Sequence, residues 1–259
     1  MSEYRKLARQ PLVFALAEFR FSPVLQIEEY IPKFQEALRN KYPLPETLQE
    51  QSVQINAGGF AISAKMRWAF ISADRHSAVS LDQERLIFFT TAYPRFEGFA
   101  ESCLSALAPL RDVVKPDLLM RVGLRYGDLV RIGEDEKLED YVDPYFGYPK
   151  LAEPLGEPLH QRDEVVIRTK IGRLKIRSLY GHSELVCMPD LQGISILPKA
   201  DSEPSERILL DFDHIWFGEE SPQTFDLDRI EDILGKLHET ARKAFWRITT
   251  DDAKDNKWN

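Results

Sequence analysis

The chain has 259 residues, of which 43% are apolar and 29% charged, and its formal charge is −8. That composition is ordinary for a globular protein and excludes a disordered chain, a coiled coil or a disulfide scaffold. At roughly 100–200 residues per domain the length suits one large domain or two small ones.

The first element is LVFALAEFRF, from Leu12 to Phe21, apolar and partly alternating and so read as a strand that Pro23 closes. Ile27, Tyr30, Ile31, Phe34, Leu38 and Tyr42 then recur at helical spacing. Pro32 lies inside that pattern, so the helix is kinked there or begins there, and it stops before Pro43. Strands are expected near Val53 to Ile62, Met66 to Ser72 and Ala78 to Tyr93. Gly58-Gly59 marks a turn or bulge, and Asp82-Gln83-Glu84 a break in the last strand. A helix follows with Phe96, Phe99, Ala100, Cys103, Leu104, Leu107 and Leu110 on its apolar face, bounded by Pro116.

A long strand, LLMRVGLRYGDLVRI, starts at Leu118. The stretch from Glu134 to Pro158 is acidic, then aromatic and proline-rich, without a clean period. Strands are expected near Glu164 to Ile171, Leu174 to Tyr180, Leu185 to Ile196 and Arg207 to Trp216. The last helix carries the longest stripe: Ile230, Ile233, Leu234, Leu237, Ala241, Ala244, Phe245 and Ile248. The polar tail from Thr249 is expected to fray, which leaves Trp258 unexplained.

The order repeats. Residues 1–116 and 117–259 each run from a strand, through a helix or its replacement, into antiparallel strands and a long helix. EFRF at 18–21 is echoed by GLRY at 123–126, and LIFF at 86–89 by ILLD at 208–211. The expected fold class is α+β: two similar repeats packed as one unit, with helices on curved antiparallel sheet.

Few chemical motifs emerge. There is no P-loop, GxGxxG, GxSxG or HExxH, and none of the five histidines stands at metal-ligand spacing from a cysteine or another histidine. No cofactor is expected. Cys103 and Cys187 read as small buried hydrophobes, and two cysteines suit a reducing compartment. Residues 2–10 lack an apolar core of a signal peptide, and no apolar run approaches the ~18 residues of a membrane span, so the expected location is the cytoplasm, away from the membrane.

Alternation in the strand at 211–214 puts Asp211 and Asp213 on one face, where they could share a divalent cation or serve basic neighbours. Arg20, Arg121, Arg125, Arg168, Lys170, Lys175 and Arg177 alternate with apolar residues in the same way. Either they line one surface that binds a phosphate-rich ligand, or they form the wet face of a half-buried sheet. Tyr141, Tyr145, Phe146 and Tyr148 form either a recognition loop or a strap over the second repeat's core. The charge falls unevenly, near neutral in residues 1–116 and about −9 beyond them. An acidic chain repels a phosphate backbone at long range, which disfavours general nucleic-acid binding.

FALAEFRF at 14–21, the run from Leu81 to Tyr93 leading into RFEGF, RVGLRYGDLVRI at 121–132 and LHETARKAFWRITTD at 237–251 together resemble the prokaryotic family of sporadically distributed proteins. The resemblance spans nearly the whole chain. It implies no known activity and brings no catalytic residue, and the family's patchy distribution would suit mobile or defence-linked genes. The polar RKAFWR run and the irregular stretch at 134–158 depart from its pattern. Two functions are therefore carried forward: a non-enzymatic protein-interaction or ligand-sensing module whose expected partner is another protein, and a binder or hydrolase of phosphate-rich ligands.

Overall fold

The computed structural model describes residues 4–5, 7–56, 59–146, 155–156, 159–183, 195–197, 205–218 and 223–259. Among these the strands are β1 (Leu12–Phe21), β2 (Leu44–Asn56), β3 (Gly59–Ile71), β4 (Ser77–Leu81), β5 (Arg85–Thr90), β6 (Leu118–Arg131), β7 (His160–Arg168), β8 (Arg173–Ser183), β9 (Ser205–Phe217) and β10 (Gln223–Thr224). The helices are α1 (Ile27–Leu38), α2 (Phe96–Pro109) and α3 (Leu227–Ile248).

All ten strands belong to one antiparallel sheet, in the order β2-β3-β4-β5-β1-β6-β9-β8-β7, with β10 on the end of β6. β1 lies in the middle, and all of its residues except Arg20 are buried. A strand covered on both faces reads as a nearly continuous apolar run, which is what LVFALA is. β1 and β6 pair from Leu12↔Asp128 to Phe21↔Leu119 and so join the two halves of the chain. A register shift between Leu12 and Phe14 turns Val13 and Phe14 toward Leu129 and Leu209, in a small second core.

The helices pack on one face of the sheet. Ala15, Ala17 and Phe19 of β1, Val122 and Leu124 of β6, and Leu210 and Phe212 of β9 meet Phe34, Phe99, Leu107, Leu234 and Leu237 in the main core. α2 passes directly into one π turn, Leu110–Val114, which ends where Lys115 takes the left-handed conformation. α3 opens on Asp226, whose side chain accepts from the Arg229 backbone N–H at 2.8 Å. Its apolar stripe matches the sequence pattern, and Leu234 is fully buried. Leu234→Ala is expected to lower the unfolding free energy by ~2–5 kcal/mol, the usual cost of such a cavity. A urea denaturation midpoint equal to that of the parent would contradict this.

Several sequence expectations are corrected. α1 starts at Ile27 and runs through Pro32, not from it. Pro32 is exposed, so the carbonyl it leaves without a donor can face water. β2 starts at Leu44, well before Val53, and pairs with β3 along its whole length. β7 ends at Arg168, which leaves Lys170 in the turn before β8 and not on a strand face. The tail does not fray. Ala253–Lys257 form a π turn, and Trp258 is buried at 6% exposure against Tyr141 and Phe245.

The irregular stretch after β6 forms short 3-10 turns at Leu138–Asp140 and Pro144–Phe146. Leu138, Tyr141 and Val142 enter the main core, and Val142 bridges to Thr249. Gly58, Tyr148, Cys187 and most of the strand expected from Leu185 to Ile196 lie outside the described residues, and residues 195–196 are described without strand structure.

Candidate ligand pocket

Most of the charged residues singled out in the strands pair with one another. On the sheet face opposite the helices, Arg177 stands across from Asp211 and Arg125 across from Asp213. Asp211 is fully buried and accepts Arg125 Nε at 2.6 Å, Arg125 Nη2 at 3.0 Å and Arg177 Nη1 at 2.5 Å. Both carboxylate oxygens are thus held by guanidinium donors. Arg177 also donates to Glu164 at 3.0 Å, and Lys175 lies 3.6 Å from the same carboxylate. Asp213 sits 3.8 Å from Arg177, and burial pushes its carboxyl above the ordinary value against the pull of Arg125.

A second cluster gathers on Glu18, with Arg20 at 2.9 Å, Arg121 at 3.2 Å and Arg85 at 3.9 Å. Arg168 and Lys170 are exposed and join neither cluster. Among the described residues no group of three or more His, Cys, Asp and Glu side chains gathers to hold a metal. Tyr145 is 72% exposed, whereas Tyr141 is buried and donates to Glu136, and Phe146 packs against the core. Cys103 is fully buried, and desolvation pushes its thiol well up, so it is no nucleophile at neutral pH.

On the helix side, a cavity of about 370 Å³ opens between β6, the start of α2, α3 and residues 4–12. Its floor follows from strand and helix periodicity. Tyr126 projects from β6 on the helix face, and His238 and Arg242 lie one turn apart on α3. The Tyr126 hydroxyl is 3.0 Å from His238 Nδ1 and 3.4 Å from the Tyr93 hydroxyl, which makes a chain of three neutral groups. Phe96, the first residue of α2, stacks on the His238 ring with centroids 4.1 Å apart and planes 3° from parallel.

Burial, helped by the Arg242 charge, lowers His238 to about 4, so its imidazole is neutral at pH 7. Burial pushes Tyr126 and Tyr93 well above the ordinary phenol value. The outer wall brings the segment before β1 against α3. Tyr4 lies 5.3 Å from Trp246, and the Arg242 guanidinium sits over the Tyr4 ring at 4.8 Å. Arg9 N–H donates to the Trp258 carbonyl at 2.8 Å, which holds the first segment to the last.

The sequence reading missed this site. Tyr93, Tyr126 and His238 belong to different elements, and each alone reads as core. The visible signal was the pair His238 and Arg242, two polar residues one turn apart beside an apolar stripe. No protein-family model matches the chain, and no curated protein shows significant similarity to it.

The depressed His238 value makes a testable stability statement. An unfolded histidine takes up its proton near pH 6.5, whereas the folded one waits until about 4. His238 therefore contributes its full stabilisation above pH 6.5 and loses it as pH falls toward 4, roughly 2 kcal/mol by pH 5. His238→Phe keeps a ring against Phe96 and removes the titration. Its unfolding free energy should fall less than that of the parent between pH 7 and pH 5; parallel curves would refute the assignment.

Proposed function

We propose that the chain is a non-enzymatic ligand-sensing protein that takes a small molecule in the pocket between α2 and α3. One observation carries this reading: the pocket's outer wall joins the segment before β1 to α3, with Tyr4 against Trp246 and Arg242. A ligand touching these residues ties residues 4–10 to α3, so occupancy becomes order in a segment that a partner protein can read. Aromatic and aliphatic walls with convergent polar groups suit a small-molecule site. Tyr145 remains exposed for a protein partner.

The phosphate-ligand reading is weaker, because Arg125 and Arg177 already serve Asp211. We also read the two halves as copies of one unit. In each, the first strand lies at the sheet centre, the last long strand pairs with it, and a helix closes the half. Residues 138–146 then stand where the first copy has α1. The resemblance to the sporadically distributed family and a cytoplasmic location belong to the same proposal.

Native mass spectrometry of the protein from its own cells tests the reading. A retained small-molecule mass that disappears in Ala241→Trp, where the new ring fills the cavity, is the expected result. A bare mass at every growth stage, or an adduct that survives the substitution, would count against it.

A further inference from the structure

The lining of the same pocket narrows the ligand class, a step that rests on the ligand-sensing reading. Rings dominate its walls: Tyr93, Phe96, Tyr126, Phe245 and Trp246, together with the His238 imidazole. Such walls favour a flat partner, which can stack on faces and meet edges at once. A volume of about 370 Å³ is at the small end for ligand sites and suits one or two fused rings.

The charges at the rim are unequal in their engagement. Arg5 is spent on Asp255. Arg95 and Arg242 line the pocket and have no carboxylate partner among the described residues. Arg242 Nε is shut off from water and makes no hydrogen bond among the described residues. The guanidinium is held in place over Tyr4, and its charge reaches the His238 ring. The lining also holds Glu97, which is exposed, and Asp128, which is buried. A cation entering beside Arg95 and Arg242 meets repulsion, whereas a planar oxyanion matches the guanidinium fork.

We infer that the pocket binds a planar aromatic acid, its one- or two-ring body among the aromatic side chains and its carboxylate or phosphate on Arg242 and Arg95. The neutral His238 and Tyr126 pair at the base adds a hydrogen-bond group for a polar atom on the ring.

Isothermal titration of the full chain with four naphthalene probes tests this. The probes are 2-naphthoate, 2-naphthyl phosphate, 2-naphthamide and 2-naphthylmethylammonium. At least one anion is expected to bind ~10-fold or more tightly than the amide, since a charge-assisted hydrogen bond contributes about 1.5–3 kcal/mol. The ammonium should bind weakest, and the tighter anion identifies the acid group. Arg242→Gln should weaken binding of that anion by about tenfold and leave the amide unchanged. An amide that binds as well as both acids overturns the acid inference while the ligand pocket stands. Equal losses for acid and amide in Arg242→Gln remove Arg242 from the assignment. Binding of none of the four removes the pocket reading as well.

Discussion

Replacing Asp211 by alanine is expected to lower the unfolding free energy by about 3–5 kcal/mol, because it removes the buried acceptor on which two largely buried guanidiniums converge. Asp211 is fully buried, and it is the acceptor shared by Arg125 and Arg177. Asp211→Asn keeps the shape and removes the charge, so it should recover only part of the loss. Exchanging all three residues for apolar ones of similar size should recover more, since the two guanidiniums leave together with their acceptor, although Asp213 then loses its arginine neighbours. Urea denaturation of the single and triple variants at neutral pH decides the matter. A single alanine variant within about 1 kcal/mol of the parent would mean that the guanidiniums find other acceptors or water.

Trp258→Ala should cost a similar amount, about 3–5 kcal/mol, the range for emptying a buried aromatic site. The ring packs on Tyr141 and Phe245, and the residue's backbone carbonyl receives Arg9 N–H at 2.8 Å. The damage should spread in a defined direction. The chain before Trp258 is tied to residues 136–143: Lys257 pairs with Glu136, Thr250 Oγ1 donates to the Asp140 carbonyl at 2.5 Å, and Asp143 N–H donates to the Ile248 carbonyl at 2.7 Å. Amide exchange in the variant should therefore quicken at 138–143 and at 249–257, and less in β1 or β5. A variant with parental stability and unchanged exchange at these positions would show that the ring contributes no structural support.

The same residue shows where the sequence stops being readable. TTDDAKDNKWN has no periodic apolar face, so it reads as a fraying end. Its order comes from contacts more than a hundred residues away, at Glu136 and Asp140. The long helix was legible because α3 carries its own evidence, a stripe at 3.6-residue spacing with a capping Asp226. β2 was legible only in part, because half-buried Leu44, Glu46 and Leu48 alternate with exposed residues of mixed type, and the polar ones obscure the period. Alternation set Arg125, Arg177 and Asp211 each on the polar face of its own strand. It could not say that they would satisfy each other, because that depends on the register between β6, β8 and β9. The pocket was the least legible feature. Tyr93, Tyr126 and His238 meet only when a loop, a strand and a helix are brought together in space.

The central pairing of β1 with β6 has a consequence for synthesis. β1 leaves the ribosome about a hundred residues before one of its two neighbours, which begins at Leu118. A nascent chain can close β1 onto β5 early, through Ala15↔Thr90 to Arg20↔Arg85. Until β6 arrives, the other side of that apolar strand is an open template for a second nascent chain on the same message. Slow elongation between Arg85 and Leu118 would prolong that exposure, and prompt emergence of β6 would end it by completing the strand's pairing within one molecule.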